Sequence, residues 1–357
     1  MIQQFKENLK KNVTILKIYM FIRKVNERIS LKVIIKKNSE YLKKGTYHLM
    51  FGSKPIIFQK SHNSLMFISS KNKHINNKRF FISRFDRLFN VSVKTNNNGT
   101  FGGELLMLTL THNVKIFNFQ NREMITIFKE KENYKKVALT NKILSPYFKT
   151  TIINTNDDTL TTLESVIDYK PYNLMSNVDK KNIFEDLNMR YENYFKNINE
   201  NNIYYSSLES YLESFKKKSD NKHILSDLKK YLNSSYLLSL EIPKIYLHGD
   251  MHLGNVLISN DNFYLIDFEC GNLYFFLFDF LNFIFAESIS RNNSDFLDSY
   301  INNKYDQYLE DIFGIFNFPF EKNDKKLYLL IFFLEKVSSY GMSKDLLFFW
   351  ELIKVIK

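Results

Sequence analysis

At 357 residues, with 44% hydrophobic and 16% aromatic content, the chain exceeds the usual size of one core and is expected to form two or more lobes. One cysteine, Cys270, excludes an intramolecular disulfide framework and suits a reducing compartment, where a buried structural thiol is expected. The net charge of +12 is uneven: residues 1–100 hold 21 Lys and Arg against 4 Asp and Glu, so the remainder is mildly acidic.

A basic first segment on an acidic body points to an anionic membrane surface or an acidic partner for that segment, with nucleic acid disfavoured. Within residues 1–44, Phe5, Leu9, Val13, Leu16, Tyr19 and Ile22 recur at helical spacing among basic residues. Such a helix either lies on an anionic surface or docks on its own protein with a solvated basic face; the second is preferred. Short strands are expected at 47–51, 55–59, 65–69 and 80–84, and they carry no recognisable chemistry.

The apolar stretch from Val13 to Ile22 is interrupted by Lys17 and lacks a small-residue cleavage site. Leu273 to Ala286 is short for a membrane span, carries Asp279 and Asn282, and reads as a buried helix. The expected location is cytoplasmic, at most peripheral to a membrane.

Asn96 to Gly103 reads as a boundary loop. Beyond it, strands are expected at 104–111, 114–119 and 123–128, a helix at 131–144, and strands at 151–154 and 160–167. That is the order of a kinase small lobe, with 168–175 as the exit. Residues 177–240 alternate in helical fashion, as at Phe184, Leu187, Tyr191 and Tyr194, and 273–357 read as mostly helical. The expected fold is α+β and two-lobed like a protein kinase. Residues 1–100 form a basic extension, 101–170 a β-rich small lobe with one helix, and 171–357 a mostly helical large lobe.

The chemistry concentrates at 245–269. An apolar run enters His248-Gly249-Asp250, Asn255 follows after four residues, and a second apolar run ends at Asp267-Phe268-Glu269. Asp-x-x-x-x-Asn is the spacing of a phosphoryl-transfer catalytic loop, with Gly where protein kinases carry Arg. Such transfer needs a carboxylate to orient a hydroxyl and take its proton, and oxygen ligands for Mg²⁺ bridging nucleotide phosphates. Asp250 suits the first task; Asn255 and Asp267 suit the second. Alone, each piece reads as a turn or a polar strand end, and the ordered set carries the argument.

With these motifs, the chain resembles the aminoglycoside phosphotransferase and choline kinase superfamily. The resemblance is motif-level at 245–287, architectural from about residue 101, and absent from the first hundred residues. It implies an ATP- and Mg²⁺-dependent kinase that phosphorylates a hydroxyl of a small metabolite, amino alcohol or sugar. Asp250 would be the catalytic base, His248 a brace for the loop, and Asn255 and Asp267 the metal ligands. Asp279 would be the buried acid tying its helix to the loop, and His252 a solvated loop residue. The Asp-Phe-Glu form and the aromatic run tilt the acceptor toward choline-like compounds. Tyr274, Phe275 and Phe276 are candidates for an ammonium box, although rings at such spacing are more often core. Glu269, Glu287, Asp295 and Asp298 are candidate linings for a cationic acceptor.

The nucleotide end departs from the family pattern. The first turn, Thr111-His112-Asn113, has no glycine, and the expected helix lacks a central glutamate. Lys129 is the leading candidate for the phosphate cation, with Lys115 second. Leu163-Glu164-Ser165-Val166 resembles the hinge, where backbone groups near Glu164 and Val166 would pair with adenine. These departures support a rival reading as a nucleotide-binding pseudokinase or scaffold, against which the complete Asp250, Asn255 and Asp267 set argues.

Overall fold

The computed structural model describes residues 25–26, 28–50, 56–59, 61–64, 92–96, 99–109, 111–219, 221–232, 235–259 and 262–356. Two compact units are present, one comprising 1–131 with 152–166, the other 132–151 with 167–357.

The first unit is one antiparallel sheet whose order is β3-β1-β2-β4-β5-β6-β8-β7. Its strands are β1 (Gly45–Met50), β2 (Ile56–Gln59), β3 (Ser92–Thr95), β4 (Leu105–Leu108), β5 (Val114–Asn118), β6 (Glu123–Ile127), β7 (Ile152–Asn156) and β8 (Thr161–Ser165). Because strand side chains alternate, the sheet buries two different sets of apolar residues. One face carries Tyr47, Ile57, Leu106 and Ile116 against Leu31 and Ile35 of α1 (residues 28–37). The other set is Ile56, Leu105, Met107 and Phe117, with Phe58 and Val166 beside it.

The strand order expected after residue 100 is present. The strands before residue 100 add to the same sheet, since β2 pairs with β4 through Ile57 opposite Leu106. The expected strands at 65–69 and 80–84, and the helical pattern from Phe5 to Ile22, lie outside the described residues.

The second unit begins with α2 (Lys131–Leu144), which was expected with the small lobe but from residue 132 groups here. A Cβ at Gly271 would fall 1.8 Å from Thr140 Oγ1, so the helix seats directly on that backbone. Then come α3 (Asn177–Lys196), α4 (Leu208–Lys218) and α5 (Lys222–Tyr231). A reciprocal capping box of Ser176 and Asp179 starts α3. A three-stranded sheet of β9 (Tyr204–Ser207), β10 (Glu241–Leu247) and β13 (Asn272–Phe275) has β10 in its centre. A hairpin of β11 (Val256–Ser259) and β12 (Asn262–Leu265) follows β10.

Helices α6 (Phe278–Phe285), α7 (Asp295–Ile301), α8 (Asp306–Ile315), α9 (Lys325–Tyr340) and α10 (Lys344–Val355) complete the unit. Reading 273–286 as one helix needs correction. Leu273 to Phe275 are strand, paired with Tyr246, Ile245 and Lys244, because the centre of the sheet buries such a run as well as a helix does. All eight residues of α6 are buried. Rings build the core around it: Phe184 lies 4.5 Å from Phe283, and Phe276 lies 4.5 Å from Phe316. Each such ring contributes roughly 1.5–3 kcal/mol by leaving water. Among the described residues, no helix is long and apolar enough to cross a membrane.

Candidate active site

β10 delivers the chain from the sheet centre into His248-Gly249-Asp250, where the backbone turns sharply. Gly249 has φ +81°, and a Cβ there would lie 2.3 Å from the Cys270 carbonyl oxygen. Both facts require glycine, which accounts for the residue that replaces the protein-kinase arginine.

The peptide groups around Asp250 are each anchored. Asp279 Oδ2 accepts the His248 amide at 2.8 Å and Oδ1 accepts the Gly249 amide at 2.9 Å. The Tyr191 hydroxyl also donates to Asp279, at 2.6 Å. Asn282, one turn after Asp279 on the same helix face, donates to the Met251 carbonyl at 2.9 Å. The hydroxyl of Tyr340 donates to the Gly249 carbonyl at 2.9 Å, and the Asn255 amide donates to the Asp250 carbonyl at 2.8 Å. Thus the two polar residues of the apolar helix α6, Asp279 and Asn282, hold the loop on either side of Asp250.

His248 is fully buried, with its ring packed on Phe268 and Nε2 at 2.9 Å from the Ile266 carbonyl. Its Nδ1 accepts the Asp250 amide at 3.3 Å, so the neutral ring with its proton on Nε2 satisfies both contacts. The Asp250 carboxylate is half-buried. Burial acts to raise its pKa, but the hydrogen bond from His252, with the Lys336 ammonium, outweighs it and holds the group at about 2. Asp250 is therefore an anion, 3.5 Å from His252 Nε2. His252 in turn takes the Gly254 amide on Nδ1 at 2.9 Å. It is a neighbour of the carboxylate, where sequence reasoning expected a solvated ring.

The hairpin brings the other two polar residues to its base. Val256 pairs with Leu265, and the Ile266 amide donates to the Asn255 carbonyl at 3.1 Å, so Asn255 and Asp267 are close to facing positions. The Asn255 amide nitrogen is committed to Asp250, which leaves Oδ1 as its remaining acceptor. Asp267 is exposed and left-handed at φ 67°, a conformation uncommon outside glycine and concentrated at functional positions. An amide oxygen and a carboxylate are the hard donors Mg²⁺ prefers, and Mg²⁺ commonly takes one or two protein ligands beside substrate phosphates. The donor set fits the ion.

Other expected residues have different surroundings. Tyr274 stacks on Phe278 at 4.3 Å, and Phe275 and Phe276 are buried in the core, so these three do not form an exposed ammonium box. Glu287 is fully buried, bonded to Arg291 and to the Tyr172 hydroxyl, so it does not line a cationic acceptor site. Cys270 is half-buried and burial pushes its thiol up.

In the first unit, Lys129 is exposed with its ammonium 3.6 Å from Glu130, while its amide donates to Asn113 Oδ1. Glu164 is buried and accepts from the Thr126 and Thr162 hydroxyls at 2.7 and 3.1 Å. The Val166 amide donates to the Arg122 carbonyl at 2.8 Å. The expected phosphate turn is closed by its own side chains: Thr109 Oγ1 accepts the Asn113 amide, and the Asn113 side chain donates to Thr111 Oγ1.

Residues that sequence reasoning missed are Lys336 and Tyr340, which return to the loop from nearly ninety residues away. Their only signal was polarity within an apolar helix.

Comparison with known proteins gives a family match over part of the chain and distant likenesses to solved structures. Residues 195–312 match the model of the phosphotransferase enzyme family, a span that contains the whole loop and α6. No curated protein matches. A choline/ethanolamine kinase family protein from Mesorhizobium loti is 13% identical, with TM-score 0.39 over 69% of this chain and 78% of that one. A choline kinase from Streptococcus pneumoniae is 11% identical, with TM-score 0.42 over 69% and 89%. A thermostable mutant of an aminoglycoside phosphotransferase is 9% identical, with TM-score 0.45 over 68% and 89%. The functional argument rests on the family match and the loop. Together they bear out the superfamily resemblance and the phosphotransferase class.

Proposed function

We propose that this phosphotransferase-family chain is an ATP- and Mg²⁺-dependent kinase that phosphorylates a hydroxyl of a small metabolite. The observation that carries the reading is the anchored loop: an ionised Asp250, fixed at every neighbouring peptide group, beside a base of hairpin that offers Asn255 Oδ1 and Asp267. Asp250 orients the acceptor hydroxyl. As its oxygen bonds to the γ-phosphorus, the bond to the β,γ-bridging oxygen breaks, ADP leaves, and the hydroxyl proton passes to Asp250. When bound, Mg²⁺ would be held by Asn255 and Asp267 and would neutralise phosphate charge. His248 keeps the loop in place through Ile266. Positioning of this kind is most of what phosphoryl transfer asks of a protein.

Assigning Lys129 to phosphate and the backbone near Glu164 and Val166 to adenine is a proposal about the first unit. Its support is the strand order together with the exposed ammonium of Lys129.

The test is ADP release from ATP and Mg²⁺ across amino alcohols, sugars and aminoglycosides, with Asp250→Ala and Asp267→Ala alongside. Both variants are expected to fold and to lose turnover, and Asp267→Ala also to lose Mg²⁺-dependent thermal stabilisation by ATP. Undiminished turnover in Asp250→Ala sinks the base assignment. ATP binding without transfer to any acceptor or to water supports the pseudokinase reading instead.

A further inference from the structure

Lys336 is 9% exposed, yet its ammonium lies within the second unit's aromatic core. It is 4.5 Å from the ring centre of Tyr340, 5.5 Å from Phe278 and 5.8 Å from Phe285. Its hydrogen bond runs to Asn282 Oδ1 at 2.5 Å. Three rings and an amide oxygen are what a protein uses to bind an ammonium ion, and here the chain's own side chain fills the cage. The cage is built onto the catalytic loop. Asn282 receives Lys336 on its oxygen and gives its nitrogen to the Met251 carbonyl, while Tyr340, one turn after Lys336, donates to the Gly249 carbonyl. The last turn of α9 therefore holds the Gly249 carbonyl directly, through Tyr340, and the Met251 carbonyl through Asn282 of α6. Burial lowers the pKa of the ammonium, and the Asp250 and Asp279 carboxylates oppose that fall without reversing it.

Resting on the phosphotransferase reading, we infer that Lys336 is a positioning residue: by filling the ring cage and bonding Asn282 Oδ1 it fixes the Asn282 amide on the Met251 carbonyl, and so the backbone beside Asp250.

The test uses the purified full chain and the variants Lys336→Met, Lys336→Ala and Lys336→Arg. Slow hydrolysis of ATP, with water standing in for the acceptor, is the readout that needs no acceptor in hand. Lys336→Met is expected to lower its kcat at least about tenfold at unchanged KM for ATP, and Lys336→Arg to retain more activity than Lys336→Met. Added n-butylammonium is expected to raise the melting temperature and rate of Lys336→Ala while leaving the native protein unmoved. The inference is overturned if Lys336→Met hydrolyses ATP like the native protein. Butylammonium acting equally on native and Lys336→Ala proteins overturns it too. If Lys336→Ala does not fold, the comparison of Met and Arg variants decides. Absence of Mg²⁺-dependent stabilisation of the native protein by ATP instead overturns the phosphotransferase reading itself.

Discussion

Asp279 holds the amide of Gly249 at 2.9 Å, and through it sets the backbone that presents Asp250. The same carboxylate takes the His248 amide and the Tyr191 hydroxyl, so three donors converge on one fully buried group. Asp279→Asn preserves the shape but turns one acceptor into a donor facing donors. The expected cost is roughly 2–4 kcal/mol of unfolding free energy, because the loop amides lose their partners out of reach of water. Denaturant unfolding of the variant measures it, and turnover should fall with it. A variant as stable and active as the native protein would show that the loop holds its shape without this carboxylate.

Two glycines give opposite expectations for the same substitution. At Gly249, with φ +81° and a Cβ only 2.3 Å from the Cys270 carbonyl oxygen, Gly249→Ala must displace backbone. A loss of about 2 kcal/mol or more, together with lost activity, is expected. At Gly314, inside α8, an added Cβ meets nothing within 4 Å. Gly314→Ala should therefore gain about 0.5–1 kcal/mol by restricting the unfolded chain and should leave activity unchanged. Paired melting and turnover measurements check both.

The geometry of the candidate loop was legible in the sequence because local spacing makes it: His248, Asp250 and Asn255 share one loop, and one hairpin brings Asp267 back to Asn255. Strand order after residue 100 was legible for the same reason, short-range alternation punctuated by turns. What escaped was set by distant partners. β13 resembled a helix because a central strand and a buried helix are both continuous apolar runs, and only pairing with β10 separates them. Tyr274, Phe275 and Phe276 suggested a ligand box because composition does not say which way a ring faces. Lys336 and Tyr340 were invisible as site residues, since their hydrogen bonds cross 54 and 91 positions of sequence.

At the start of α3, Asp179 closes the capping box and is held at about 2 rather than the usual 3.8. The hydrogen bond from Lys170 contributes most, followed by the Ser176 amide and hydroxyl. The folded-state value is depressed, so the stabilisation is present above the unfolded value and is lost as pH falls through about 2. Native protein is therefore expected to be more stable than Asp179→Asn near neutral pH, with the difference shrinking between about pH 4 and pH 2. Denaturant unfolding of both proteins across that range tests the sign. A gap that widens in acid would contradict it.

Glu335 precedes Lys336 on α9 and ties that helix to the central sheet. Its carboxylate is 4% exposed, 2.9 Å from the Lys244 ammonium, and accepts the Phe275 amide at 2.7 Å. Burial raises its pKa, and the Lys244 charge opposes that rise. Removing one partner leaves the other without compensation, so Glu335→Ala is expected to cost roughly 3 kcal/mol, the lower end for a buried pair because Lys244 keeps some contact with water. Lys244→Met should cost at least as much, since it leaves the more deeply buried partner, the Glu335 carboxylate, without its cation. In the double variant the two costs should sum to more than the measured loss, and the difference is the coupling between them. Because α9 also carries Lys336 and Tyr340 to the loop, Glu335→Ala should lower turnover beyond what its unfolded fraction explains. Turnover per folded molecule equal to that of the native protein would confine Glu335 to stability and leave the part of α9 in placing the loop to Lys336 and Tyr340.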